Sequence, residues 1–249
     1  MELIKISAVS YLNTFPFVFG IKTSGKLDDI ELQLDIPSIC AEKLKNNNVD
    51  LALVPVGAIP DLDDPHFISD YCIGAESSVK TVVLLSHKPL EEITEIALDF
   101  DSRTSIQLVK ILAGKFWKIQ PTWRNLGPEE AEMDKNIETL VAIGDKTFRL
   151  ASQFPYVYDL AGEWIRYTSL PFVFAIWLAN KPLPEGFLVN FNKALEYGIQ
   201  HKEEIPDFFP DKIPPGLDAI QYLRENISYN FDARKKEGME LFLELISEL

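Results

Sequence analysis

The sequence predicts an α/β fold of two lobes, one built from both ends of the chain and one from its middle. Three observations point there. Short apolar runs alternate with helical patterns through the first half, as in a mostly parallel sheet covered by helices. Pro89 and the acidic cluster Glu91 to Glu95 interrupt that alternation before a second α/β unit begins. A strongly apolar run, Leu170 to Leu178, then reads as the return crossing. The expected partition is 1–86 with 177–249 for the first lobe and 87–176 for the second, joined by crossings near His87 and Leu178. A hinge cleft between such lobes is a preferred place for a small ligand, because closure excludes water and both sides supply contacts.

Leu3 to Val9 reads as the first strand and Leu32 to Ile36 as the second. A helix follows from Pro37, whose fixed φ suits a first turn, with Ile39, Cys40 and Leu44 on its apolar side and Asn46 to Asn48 at its end. Asp50 to Val54 is a third strand, and Pro55 turns the chain out of the sheet. Phe67 to Ile73 and Val79 to Ser86 read as a strand pair closing the first lobe. In the second, Ile96 to Asp99 is a short strand, and Ser102 to Ser105 offers caps to a helix over Ile106 to Trp117. Thr139 to Ile143 is a strand ending at Gly144-Asp145, and Tyr158 to Thr168 is a helix. From Pro184 onward the pattern is helical with proline breaks, and the last helix carries Met239, Leu241, Phe242, Leu245 and Ile246. Phe208 and Phe209 read as core, with a contact in an oligomer as the alternative.

Composition narrows the function. With 24 basic against 38 acidic residues, a net charge of -14, the surface repels nucleic acid and anionic membranes. Neither is expected as a partner. Met1 to Ile6 lacks the basic start and apolar run of an export signal, and no apolar run approaches the roughly 20 residues of a membrane span, so a cytoplasmic protein is expected. Cys40 and Cys72 lack the spacing of a metal site and are expected as buried, reduced thiols. His66, His87 and His201 stand isolated, and there is no glycine-rich phosphate loop or hydrolase elbow.

Four polar clusters lie where strands give way to turns or helices, the rim at which open α/β sheets bind ligands. Ser10 to Thr14, with Tyr11 and Asn13, follows the first strand; a helix cap by Asn13 or Thr14 is its plainer explanation. Pro37-Ser38 opens a helix whose free amides suit a carboxylate. Ser77, Ser78 and Thr81 bring hydroxyls to the start of a strand. Ser102-Arg103-Thr104-Ser105 would set hydroxyls, a guanidinium and free amides at one helix N-terminus. Gly144-Asp145 holds a similar position, where Asp145 serves either a ligand or the next helix as a cap.

Together these runs resemble the chorismate dehydratases of the futalosine route to menaquinone. The resemblance rests on Val9 to Thr14 with Pro16, Pro37-Ser38, Asp50 to Pro55, Val79 to Ser86, Ser102 to Ser105 and Ile143-Gly144-Asp145. It ends with Trp164 followed by Thr168 to Trp177, its most specific part. It spans about Ile4 to Trp177. Ser169 and Asn47-Asn48 stand where the family has glycine, and Ser77-Ser78 replaces a glycine-proline pair. The resemblance implies a periplasmic-binding-protein-like type II fold used as an enzyme, without metal or cofactor, on a small dicarboxylate substrate. It implies Asn13 and Asp145 as catalytic residues, with Tyr11, Ser38, Ser77, Ser78, Thr81, Arg103, Thr104, Ser105 and Gly144 around the substrate. Asp145 competes with the substrate's own carboxylate for the proton. The sister enzyme making 1,4-dihydroxy-6-naphthoate is disfavoured, because its serine-proline-cysteine-proline-asparagine run is missing at Ser10 to Thr14. A non-catalytic solute-binding protein is the other alternative.

Overall fold

A first sheet gathers strands from both ends of the chain. The computed structural model describes residues 3–98, 103–127 and 137–249. The sheet contains Ile4–Val9 (β1), Ile30–Asp35 (β2), Leu51–Pro55 (β3), His66–Ala75 (β4), Phe172–Ala179 (β10) and Ser228–Asn230 (β11), in the order β11-β4-β10-β3-β1-β2. The second sheet contains Val82–Ser86 (β5), Glu95–Leu98 (β6), Thr122–Asn125 (β7), Thr139–Ile143 (β8) and Tyr156–Asp159 (β9), in the order β7-β6-β8-β5-β9. The helices are Phe15–Thr23 (α1), Pro37–Lys45 (α2), Arg103–Ile111 (α3), Thr147–Leu150 (α4), Leu160–Thr168 (α5), Glu185–Gln200 (α6), Ile205–Phe208 (α7), Ala219–Glu225 (α8) and Ala233–Ile246 (α9).

Both sheets are mixed rather than mostly parallel. β1 runs parallel to β2 and β3, whereas β10 is antiparallel to β3 and β4. In the second sheet β6 is parallel to β7 and β8, and β5 is antiparallel to β8 and β9. The continuous apolar runs of β3, β5, β8 and β10 report burial on both faces. Such burial accompanies parallel sheets but does not fix strand direction.

The expected strand pair of Phe67 to Ile73 with Val79 to Ser86 does not form. β4 pairs within the first sheet, and β5 lies between β8 and β9 in the second. β10 belongs entirely to the first sheet. The chain therefore changes sheets at 76–81 and again at 169–171, not near His87 and Leu178. Asp159 pins the first crossing: its carboxylate accepts the Ser78 hydroxyl at 2.8 Å and the Val79 and Lys80 amides at 3.1 and 2.7 Å.

Several elements carry weak sequence signals. β7 and β9 are short edge strands with exposed residues, and β11 has three residues. α1 shows no apolar stripe because Phe15 through Ile21 are all buried, leaving no polar face to set a period. It packs against α6 at a pair of glycines. A Cβ on Gly20 would lie 1.9 Å from the Ala194 carbonyl oxygen, and one on Gly198 would lie 1.8 Å from that of Pro16. Only bare backbones allow so close an approach. The helix expected over Ile106 to Trp117 begins as α3 and continues as a π-helical turn over Leu112–Trp117.

The core joins both sheets and includes Trp164, Trp177, Phe172 and Phe242. Cys40 and Cys72 are buried free thiols, as expected, and burial pushes each up to about 12. Phe209 stacks on Phe15, but Phe208 is exposed rather than core. No described helix is long and apolar enough to cross a membrane.

Ser169 ends α5 with φ 63, in the left-handed region that glycine enters without a Cβ penalty. Asn47, at φ 56, repeats the situation with a residue that tolerates it better. Replacing Ser169 by glycine is expected to stabilise the protein by about 0.5–1 kcal/mol, after the greater chain entropy of unfolded glycine is deducted. A raised midpoint in urea denaturation at unchanged slope is the expected readout.

Candidate functional site

The strand ends bring loops from both sheets together. β1 leads into a 3-10 turn, Leu12–Thr14, in which the Thr14 amide donates to the Tyr11 carbonyl at 2.9 Å. Neither Asn13 nor Thr14 caps α1 through its side chain. Instead the Thr14 hydroxyl donates to Asn13 Oδ1 at 3.2 Å, which leaves the amide hydrogens of Asn13 for other acceptors, the Tyr222 hydroxyl being one. The Tyr229 hydroxyl donates to the Asn13 carbonyl at 2.9 Å.

From the second sheet, β8 ends in Gly144 and Asp145. Asp145 does not cap α4; its two carboxylate oxygens accept the Leu12 amide at 3.1 and 3.3 Å, tying the β8 loop to the β1 loop. Burial pushes its carboxyl up to about 6, with the Leu12 bond acting in the opposite direction. Gly144 has φ 72, and a Cβ there would lie 2.8 Å from the Tyr11 ring. Gly144→Ala therefore meets both a left-handed backbone and an occupied space. It is expected to cost about 2 kcal/mol and to displace Tyr11 from the cleft. The check is a lowered thermal midpoint together with weaker ligand binding than in the parent.

Tyr11, Asn13, Thr81, Thr104, Ser105 and Gly144 line one cavity, with Val9, Pro37, Pro55, Ile143 and Phe174 among the apolar walls. The cavity encloses about 460 Å³ of unoccupied space including its open mouth. This is a narrow crevice lined from both sheets. No charged side chain is among its described lining residues.

The remaining sequence candidates lie around this crevice. Ser38 is half-buried beside the lining residue Pro37. Ser78 is committed to Asp159, and Ser77 is exposed. Arg103 is exposed and pairs with Asp61. Ser102 lies outside the described residues. The Thr104 hydroxyl accepts the Gly57 amide at 3.0 Å and donates to the Phe174 carbonyl at 3.4 Å, so it joins the sheets as well as lining the cavity. The described residues contain no cluster of histidine, cysteine or carboxylate groups able to hold a metal ion.

Two residues were not anticipated. The Tyr222 hydroxyl meets the Thr81 hydroxyl at 3.0 Å, and Tyr229 reaches Asn13, both from the C-terminal segment. The available signal was the type of residue: a tyrosine in an apolar pattern needs a partner for its hydroxyl when buried.

A family model described as menaquinone biosynthesis matches residues 4–248. The chain belongs to that family. A relative, the chorismate dehydratase of Thermus thermophilus, is 22% identical over 247 residues, covering 89% of this chain and 88% of its own length. Among solved structures, a protein of Archaeoglobus fulgidus superposes with a TM-score of 0.75 at 18% identity, over 98% of this chain and 97% of its own. The periplasmic aliphatic sulphonate binding protein of Escherichia coli superposes with a TM-score of 0.61 at 20% identity, over 98% and 92%. This menaquinone biosynthesis family member therefore has the two-lobed, periplasmic-binding-protein-like α/β fold expected from its sequence.

Proposed function

We propose that the protein is a cytoplasmic chorismate dehydratase, a lyase that converts chorismate to 3-[(1-carboxyvinyl)oxy]benzoate and water. The observation that carries this reading is the crevice in which Asn13, Thr81, Thr104, Ser105 and Gly144 meet between apolar walls. The likeness to the Thermus thermophilus enzyme and membership of a menaquinone biosynthesis family support it. The sulphonate-binding neighbour supports only a fold suited to small ligands.

The chemistry needs orientation more than reactive groups. Chorismate loses the proton on C3 and the hydroxyl on C4, the two leave as water, and the ring becomes aromatic. Because C3 is conjugated through the ring double bond to the ring carboxylate, its proton is acidified. Donors at that carboxylate stabilise the charge that develops. Ser105 and the first-turn amides of α3 are placed to receive one carboxylate, with the Thr81 hydroxyl towards the other. Asn13, with one amide hydrogen turned to the Tyr222 hydroxyl, offers the other to the departing hydroxyl. Uncharged donors in an apolar crevice also suit a dianion within an acidic protein, since local hydrogen bonds there outweigh a screened surface field.

We assign proton removal to the substrate's enolpyruvyl carboxylate, held beside C3 by the crevice. Fixing that geometry supplies about 7–11 kcal/mol of the barrier. Asp145 is directed at the Leu12 amide instead and is not part of the cavity lining. The elimination exchanges no electrons with an external carrier, so it calls for no redox cofactor.

Incubating the purified protein with chorismate tests the reading. An aromatic product lighter by one water, seen by absorbance and mass, is expected. Saturable binding without turnover would favour a solute-binding protein instead.

A further inference from the structure

We infer that Tyr229 and Tyr222, two buried phenols from the C-terminal segment, are positioning residues that set Asn13 and Thr81 for the elimination. The inference rests on the dehydratase reading of the crevice and gives the C-terminal segment a part in it.

Asn13 sits in a short 3-10 turn, where no strand ladder fixes its direction. The Tyr229 hydroxyl supplies that anchor by donating to its carbonyl at 2.9 Å. Thr81 is the last residue of the crossing between sheets, and the Tyr222 hydroxyl meets its Oγ1 at 3.0 Å. A third bond from the same segment, Asn226 Nδ2 to the Ser78 carbonyl at 2.8 Å, holds the crossing itself. Three polar groups within eight residues thus hold the back of one crevice.

Packing alone does not call for these hydroxyls. The Tyr229 ring packs edge-on against Phe17 at 5.2 Å, and the Tyr222 ring against Phe148 at 5.2 Å. Phenylalanine would make the same ring contacts. Both phenols are nearly inaccessible, at 4% and 2% exposure, so neither hydroxyl has a ready water alternative. The Lys202 ammonium lies 4.8 Å from the Tyr229 ring centre and draws electron density from it, strengthening the O–H donor. Burial pushes Tyr222 far up, against opposing hydrogen bonds from Thr81 and the Asn13 side chain, so it stays a neutral donor or acceptor at every working pH.

The experiment compares Tyr229→Phe and Tyr222→Phe with the parent, each alone and combined with Asn13→Ala. Each single change is expected to lower kcat by about tenfold to a hundredfold while KM moves less than about threefold, because geometry at the reacting centre is disturbed and binding surface is kept. In the Asn13→Ala background, Tyr229→Phe is expected to have no further effect on kcat. A purely structural role would give the same loss in both backgrounds, and that result would overturn the inference, as would parent-like kcat in both single variants. If the parent does not turn over chorismate, the dehydratase reading fails. The positioning is then read directly by NMR of the labelled, unliganded protein. Tyr229→Phe should move the Asn13 carbonyl carbon and Thr14 amide nitrogen signals, and unchanged signals there would overturn it.

Discussion

Asn13→Ala is expected to lower kcat on chorismate by about 100- to 1000-fold, the usual cost of removing one donor aimed at charge that develops in a transition state. The side chain is divided between two tasks. Its Oδ1 accepts the hydroxyl of the buried Thr14, one amide hydrogen is turned to the Tyr222 hydroxyl, and the other is left for the substrate. Alanine removes both, so some stability goes too: the Thr14 hydroxyl loses its acceptor, at a cost of about 1–2 kcal/mol. In a chain of this size that lowers Tm by about 2–8 °C, which leaves the protein folded at the assay temperature. The expected pattern is a large loss of turnover with a modest loss of Tm. Parent-like kcat for the variant would remove Asn13 from the mechanism.

The sequence made legible those features that rest on short-range physics. β8 is observed over the residues its apolar run predicted, and α2 starts at Pro37 as proline's fixed φ requires. Ser169 and Asn47, which depart from the glycines of the resembled family, occupy left-handed positions, the conformation glycine serves. Pairing was less legible. The run from Val79 to Ser86 reads the same whether it joins the first sheet or the second, because burial on both faces erases the alternation that would identify its neighbours. The crevice itself was partly legible. Residues at strand ends, such as Asn13, Thr104 and Gly144, follow from where α/β sheets bind ligands. Tyr222 and Tyr229 act from behind the lining, over sequence separations of 141 and 216 residues, and no local pattern encodes such contacts.

Asp145→Asn is expected to make the protein more stable near neutral pH and to keep kcat within about tenfold of the parent. In the folded protein burial holds the carboxyl near 6, above its ordinary value of 3.8. The sign follows from proton counting. Below about pH 4 the group is protonated in both states, and its contribution to stability is fully present. As pH rises from about 4 to 6 the unfolded chain gives up its proton first, so stability falls until the native group also ionises. A shift of about two units corresponds to at most about 3 kcal/mol, and partial solvent access reduces that to about 1–2 kcal/mol. Asparagine cannot ionise, and its Oδ1 can still accept the Leu12 amide. Urea denaturation at several pH values should therefore show a variant that matches the parent near pH 4 and exceeds it by about 1–2 kcal/mol near pH 7.5.

Turnover separates the two roles the carboxylate could have. If Asp145 only ties the β8 loop to the β1 loop, the asparagine variant keeps kcat within about tenfold, and the substrate's own carboxylate stands as the base. A loss of several orders of magnitude, with disappearance of a pH-rate limb near 6, would make Asp145 the proton acceptor. A stability gain accompanied by that loss would mean that an ionised, partly desolvated carboxylate is kept at the crevice for its basicity, at the expense of the fold. A stability gain with activity retained would mean that the neutral hydrogen bond to Leu12 is what the crevice requires.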